Sequence, residues 1–225
     1  MNSTALLCLI KQGKVKADIA VFSDTGGEHP ETYQYLHEVI LPFCNRNKIE
    51  LAIIRSDKPP LYEFYFSKHI IPTRMFRHCT DHYKIQPLRK FAIKKFPNEQ
   101  ITFLIGIDAG EKQRAKNICD AFEYPLIDLN LDREACKQII VSEGLPLPIK
   151  SGCYFCPFTS SKGWLDLLKQ HKELFVKAER LEKNCSRYPE MTLTNVQLEK
   201  LRQNVELQKK LCDYLVSCPM CEVNT

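Results

Sequence analysis

The chain has 225 residues, 44% of them apolar and 26% charged, enough for one large core plus an appendage and too apolar for a disordered chain. Lysine and arginine outnumber aspartate and glutamate by 32 to 27, a mild basic excess that suits a nucleotide or nucleic acid and equally suits a solvated surface. Eleven cysteines, an odd count, and an N-terminus without a basic start or cleavage site argue against a secreted disulfide scaffold, and no apolar run nears the roughly eighteen residues of a membrane span. A reducing, cytoplasmic setting is the expectation, with metal binding or redox chemistry as the usual reason for clustered thiols.

Strand and helix signals alternate through the first two-thirds. Residues 3–11 predict a helix with Leu6, Leu7, Leu9 and Ile10 on its apolar face. Residues 19–22 predict a short buried strand, broken by Ser23-Asp24-Thr25-Gly26-Gly27. Pro30 opens a helix to about residue 45, where its missing N–H costs nothing. A strand follows at 50–54, an aromatic irregular stretch at 56–78, and a basic helix at 81–96. Next come a strand at 101–107, a helix at 110–122, a short strand at 125–129 and a helix at 133–143. Continuous apolar strands alternating with helices predict an α/β fold with a doubly wound, mostly parallel sheet. The division expected is an α/β nucleotide-binding domain over 1–150, then a cysteine-bearing turn and a helical extension over 151–225, with helices at 160–183 and 194–216.

Three stretches fall where ligands bind in such folds, beyond the carboxyl ends of the strands. Asn2-Ser3-Thr4 starts a helix directly, so its free N–H groups and hydroxyls suit a phosphate, or serve as an ordinary cap. Asp24, Thr25 and Gly26 follow the strand at 19–22. The glycines there permit close backbone approach, and Asp24 is placed to accept from a ribose hydroxyl or help hold a metal; a plain turn has the same composition. Gly106 and Asp108 end a strand, and Glu111 and Arg114 are i, i+3 neighbours on the helix after it, an arrangement shared with surface ion pairs. Cys153 and Cys156 form a C-x-x-C pair inside Gly152-Cys153-Tyr154-Phe155-Cys156-Pro157, suited to chelating a metal or to dithiol chemistry. Arg74, Arg77, Lys84, Arg89 and Lys90 surround Cys79 in sequence and suit a phosphate-bearing substrate, although an exposed helix face accounts for Lys90, Lys94 and Lys95. Cys8, Cys44, Cys119, Cys136 and Cys212 lie in apolar helical runs and are expected to be small buried hydrophobes.

Taken in order, Asn2-Ser3-Thr4-Ala5-Leu6-Leu7, Asp24-Thr25-Gly26 to Pro30-Glu31-Thr32, Arg77-His78-Cys79-Thr80 with Tyr83-Lys84-Ile85-Gln86-Pro87-Leu88, Gly106-Ile107-Asp108 with Glu111 and Arg114, and the Gly152–Pro157 turn resemble the PAPS reductase-like family of the PP-loop adenine nucleotide α-hydrolase superfamily. The likeness covers roughly residues 1–180. It implies ATP as substrate with Mg²⁺, Ser3, Asp24 and Arg114 in catalysis, and Asn2, Ser3, Thr4, Asp24, Thr25, Gly26, Gly106 and Asp108 around the nucleotide. It also implies a [4Fe–4S] cluster on Cys79, Cys153, Cys156 and Cys185, with Cys218 and Cys221 as rivals for the fourth ligand and a structural zinc as the competing metal. The activity implied is ATP pyrophosphatase chemistry for sulfur insertion, best matched by DNA phosphorothioation with a cysteine desulfurase as sulfur donor; tRNA thiolation stands close behind. The reductases' Glu-Cys-Gly-Leu-His tail has no counterpart, which moves sulfonucleotide reduction to the alternative, beside a non-catalytic scaffold. The Ser-Gly-Gly half of the loop and its preceding strand also have no counterpart. An upstream segment that supplies them is expected; the other explanation is lost ATP chemistry.

Overall fold

The computed structural model describes residues 1–75, 77–115, 121–194 and 196–216, with residues 209–216 described by backbone alone. In chain order the elements are α1 (Asn2–Lys11), β1 (Ala20–Asp24), α2 (Pro30–Tyr35), α3 (Leu41–Arg46), β2 (Leu51–Arg55), α4 (Leu61–Ser67), α5 (His78–Thr80), α6 (Gln86–Lys95), β3 (Phe103–Leu104), β4 (Phe122–Glu123), α7 (Pro125–Asp128), α8 (Arg133–Ser142), α9 (Ser161–Gln170), α10 (Lys172–Lys183) and α11 (Leu198–Val216). Leu36–Ile40 joins α2 to α3 as a π-helical turn, and Asp81–Ile85 joins α5 to α6 in the same way, so the expected helices at 30–45 and 81–96 are each continuous but underwound once. Cys119, Cys218 and Cys221 lie outside the described residues, as does the side chain of Cys212 and much of the helix expected at 110–122.

The chain forms two compact units, Met1–Pro60 with Cys79–Cys153, and Leu61–His78 with Tyr154–Thr225. The second change of unit falls near the boundary expected at 150/151, while residues 61–78 group with the C-terminal unit instead of the nucleotide-binding one.

The first unit is α/β. Strand β1 pairs in parallel with β2 from Ala20↔Leu51 to Asp24↔Arg55, and β3 pairs in parallel with β4 through Phe103↔Phe122 and Leu104↔Glu123. Among the described residues these are two separate two-stranded sheets, where the sequence pattern predicts one doubly wound sheet. The strand expected at 125–129 is instead helix α7, because Pro125 sits at its first turn with φ already set for a helix, and β4 lies just before it. The core gathers Ala5, Cys8 and Leu9 of α1, Leu36, Ile40, Phe43 and Cys44, Leu126 of α7, and Cys136, Ile140 and Leu145. Helix α8 is fixed at its start by Asp132, whose carboxylate accepts from the Ala135 amide at 2.8 Å.

Three cysteines behave as expected of small core residues. Cys8, Cys44 and Cys136 are fully buried, and burial pushes the Cys8 thiol up to about 12, the Cys136 thiol up to about 11 and the Cys44 thiol upward. Iodoacetamide applied to the native protein is therefore expected to spare these three and to label the half-buried Cys79, Cys153 and Cys156 before them. Peptide mapping by mass spectrometry checks this, and early labelling of Cys8 or Cys136 would contradict it.

The second unit is helical among the described residues. Helix α4 occupies part of the stretch expected to be irregular: Leu61 and Tyr65, one turn apart, turn inward, and Tyr65 and Tyr62 meet Phe155 edge-on. Ser160 caps α9 by accepting from the Gly163 amide, and His171 breaks the run expected at 160–183 into α9 and α10. Glu182 is buried and accepts from the amides of Leu193 and Leu198, both at 2.7 Å, which anchors the connection into α11. Trp164 is fully buried edge-on to Phe175, yet its indole N–H has no partner among the described residues. Trp164→Phe removes that unpaired donor along with some volume, so the two effects offset and the variant is expected within ~1 kcal/mol of the parent in urea unfolding followed by circular dichroism.

Candidate functional site

Two groups of candidate residues come together in the first unit. The first is built on the turn after β1. Asp24 ends the strand almost fully buried, and all its acceptor capacity is directed inward. Its Oδ1 accepts from the Gly26 amide at 2.8 Å and the Tyr33 hydroxyl at 2.6 Å, and its Oδ2 accepts from Arg55 Nε at 2.8 Å and is 2.7 Å from Arg55 Nη2. Burial opposes ionisation, but the hydrogen bonds from Tyr33, Gly26 and Arg55 outweigh it and hold the carboxyl below the usual aspartate range. Asp24 is thus committed to the protein, and its geometry is that of a residue that shapes the turn. Gly26 is required in that turn twice over: its φ is +71°, and a Cβ would stand 2.9 Å from the Pro60 Cβ.

The turn is pinned against the cysteine-bearing loop. Glu28 and Cys153 form an antiparallel bridge, and the His29 amide donates to the Gly152 carbonyl at 3.2 Å. Thr25 is buried, with its hydroxyl 3.3 Å from Cys153 Sγ and donating to Glu28 Oε1 at 3.4 Å. Lys84 donates to the same Glu28 oxygen at 3.2 Å, while Glu28 Oε2 is buried without a protein partner among the described residues. A buried carboxylate oxygen left open costs about 1–3 kcal/mol, so the arrangement is incomplete in electrostatic terms. Desolvation pulls the Lys84 ammonium down, but Glu28, Cys153 and Cys79 pull it up further, and the net shift is upward. Two candidate thiols, Cys79 and Cys153, therefore share the field of one lysine.

The second group lies at the start of α1. Asn2 Nδ2 donates to Asp108 Oδ2 at 2.9 Å across 106 residues of sequence. Gly106 packs so closely on the helix start that a Cβ would lie 2.9 Å from the Ser3 nitrogen. Ser3 is exposed, and Thr4 is buried beneath it. Burial, then the charge of Arg133, lowers the pKa of the Met1 amine next to this point. The helix start thus offers amide donors, with one buried carboxylate, Asp108, already beside them.

Other candidates are placed elsewhere. Arg114 forms a surface ion pair with Glu111 at i, i+3 on a 3₁₀ turn, Ala109–Arg114. Lys90 pairs with Asp57 and Lys95 with Glu50, the helix-face reading of those cations. In the second unit Arg74 donates to the Pro157 carbonyl at 2.9 Å and Arg77 lies 5.6 Å over the Phe158 ring. Cys156 also belongs to that unit, as does Cys185, which is buried and donates its thiol to the Tyr188 carbonyl. Among the described residues no three His, Cys, Asp or Glu side chains converge as a metal-binding group. Cys79 and Cys153, sharing the field of one lysine, fit as two ligands of a thiolate set, and the other two candidates, Cys156 and Cys185, belong to the second unit.

Glu28 carried no role in the sequence reading, and Lys84 ranked only as one cation among several. No local signal marks them, because their partnership runs across 56 residues of sequence. No helix among the described residues is long and apolar enough to cross a membrane. No protein-family model matches the chain, and no curated protein matches it.

Proposed function

We propose that the protein is an ATP pyrophosphatase that adenylylates a substrate oxygen for sulfur insertion, with DNA as the acceptor and tRNA as the second choice. The observation that carries this reading is the meeting of the α1 start with Gly106 and Asp108, residues a hundred positions apart that the motif order assigns to one nucleotide. The acceptor oxygen attacks the α-phosphorus of ATP, the α–β bridge breaks, and pyrophosphate leaves. A persulfide sulfur, delivered by a cysteine desulfurase, then attacks the activated acceptor atom and AMP departs. A thiol reductant cleaves the carrier S–S bond and supplies the two electrons. The chain contributes position and charge: amides at Asn2, Ser3 and Thr4 receive phosphate, Gly106 and Asp108 set the helix start, Asp24 holds Thr25 and Gly26 in their turn, and Arg114, released from Glu111, neutralises charge alongside the Mg²⁺ that enters with ATP.

The proposal includes a [4Fe–4S] cluster on Cys79, Cys153, Cys156 and Cys185, through which no step above passes. Protein purified without oxygen is expected to show broad visible absorption and about four irons per chain, both lost in Cys153→Ala. One zinc per chain in colourless protein would assign the thiols a structural role instead. The activity is tested by ATP–pyrophosphate exchange with duplex DNA and a desulfurase present. Exchange that depends on DNA supports the reading, while absence of ATP binding in equilibrium dialysis removes it. One observation favours the scaffold alternative: the full commitment of Asp24 to Tyr33, Gly26 and Arg55 leaves it no lone pair for a nucleotide.

A further inference from the structure

In the second unit the turn at 154–158 buries Tyr154, Phe155 and Pro157 but leaves Phe158 47% exposed. Tyr154 and Phe155 pack edge-on with ring centroids 4.8 Å apart, so the apolar demand of the turn is met without the third ring. Phe158 instead lies under Arg77, whose guanidinium carbon is 5.6 Å from the ring centroid, and Arg77 is itself exposed. A cation–π pair in water adds little to folding. Packing therefore does not account for a flat ring and a flat cation held together at the surface.

The same turn orders a second cation. Arg74 Nε donates to the Pro157 carbonyl at 2.9 Å, which holds this side chain beside the residue that precedes the ring. Several other surface cations sit on carboxylates, Lys90 on Asp57, Lys183 on Glu199 and Arg202 on Glu206; among the described residues Arg74 and Arg77 have no such partner. No aspartate or glutamate occurs in residues 64–78 or 154–165, the two stretches that meet here, against Lys68, Arg74, Arg77 and Lys162. Helix α9 starts at Ser161, three residues past the ring, with Lys162 exposed and no acidic residue in its first turn. Its amide end adds a field of the same sign.

We propose that Phe158 and Arg77 form a stacking platform for one unpaired base of a single-stranded nucleic acid, with Arg74 and Lys162 on the flanking phosphates. Stacking needs an exposed π face on the protein, and it tolerates any base because every base has such a face. The planar guanidinium supplies the cation of the same stack, which a lysine would not. The phosphates answer cations in two stretches free of acid. An acidic peptide satisfies the charges but gives the ring nothing to stack on, and a duplex keeps its base faces covered. The platform goes beyond the ATP chemistry proposed above and does not rest on it.

Fluorescence anisotropy of the full chain with labelled oligothymidylate and oligouridylate of about twelve nucleotides reads the affinity, and the pair tells DNA from RNA as the source of the base. Phe158→Leu keeps apolar bulk and loses the π face, and is expected to weaken binding of the preferred strand by about 10-fold; Phe158→Tyr should change it by less than about 2-fold. Lys162→Ala is expected to lower the slope of log affinity against log salt by ~0.7. Phe158→Trp reads stacking directly, because Trp164 is the chain's one tryptophan and is fully buried, so the added indole is the exposed emitter. Its emission is expected to fall as the strand binds. Equal affinity of Phe158→Leu and the parent overturns the proposal. So do duplex binding as tight as single-strand binding, unmoved indole emission at saturation, or no binding of either strand. ATP binding is scored separately: its absence with stacking intact removes the enzyme reading alone, and DNA binding indifferent to Phe158 removes this one alone.

Discussion

Asp24→Ala is expected to lower stability by about 2–4 kcal/mol, with its effect concentrated on the first unit. The loss comes from the groups left behind. Arg55 is 75% exposed, so its freed guanidinium returns to water cheaply. The half-buried Tyr33 hydroxyl has a poorer outlet and loses its acceptor at a cost of about 1–3 kcal/mol, the exposed Gly26 amide loses less, and the emptied space around the buried Asp24 side chain adds the rest. Asp24→Asn keeps one acceptor oxygen and is expected to lose roughly half as much. The pH dependence separates charge from shape. The folded carboxyl titrates below its unfolded value, so its contribution is complete above ~3.9 and is lost as pH falls through the lower folded pKa. Urea unfolding of parent and variant should therefore differ fully at pH 7 and converge under acid. A constant gap through that range would assign the loss to packing instead of the carboxylate.

Much of this arrangement was legible in residue order, and the illegible part has a common cause. Helices α1 and α8 and strands β1 and β2 follow apolar periodicity closely, because each buries one face or a short continuous run against a single core. The segments that departed were short and aromatic or apolar. Residues 61–67 place Leu61 and Tyr65 at helical spacing among five further aromatic or polar residues, and the pattern is too brief to outweigh its irregular flanks. Residues 125–129 are apolar enough for a strand, and only the φ of Pro125 and the pairing of Phe122 with Phe103 turn them into a helix after a strand. The site shows the same limit. The turn after β1 was recognisable as a place where chemistry is carried, but whether Asp24 faces a ligand or the protein depends on Tyr33 and Arg55, nine and thirty-one positions away. The pairing of Glu28 with Lys84 across 56 residues has no local sequence mark at all.

Gly106→Val tests the meeting point on which the nucleotide reading depends. The added Cβ would lie 2.9 Å from the Ser3 nitrogen, 3.1 Å from the Asn2 carbonyl carbon and 3.2 Å from the Ser3 Cα, all of them backbone atoms of one helix start. Relief requires the whole first turn of α1 to move. That turn is tied to Asp108 through Asn2, and Ala5, Cys8 and Leu9 behind it sit in the core. Overpacking of this kind costs about 1–3 kcal/mol, and a valine reaches further than a bare Cβ, so the upper end is expected. Gly152→Ala is the matched control: nothing lies within 4 Å of its Cβ, and its stability should stay within ~0.5 kcal/mol of the parent. Binding separates the structural effect from the functional one. A displacement of about 1 Å in the amides of Asn2, Ser3 and Thr4 is enough to cost an ordered phosphate contact ~100-fold in reaction rate. Mg-ATP should therefore raise the melting temperature of Gly152→Ala as it does the parent's, and should leave that of Gly106→Val unmoved at the same concentration. An ATP-induced rise in Gly106→Val equal to the parent's would take the start of α1 out of the nucleotide site, however much stability the valine had cost.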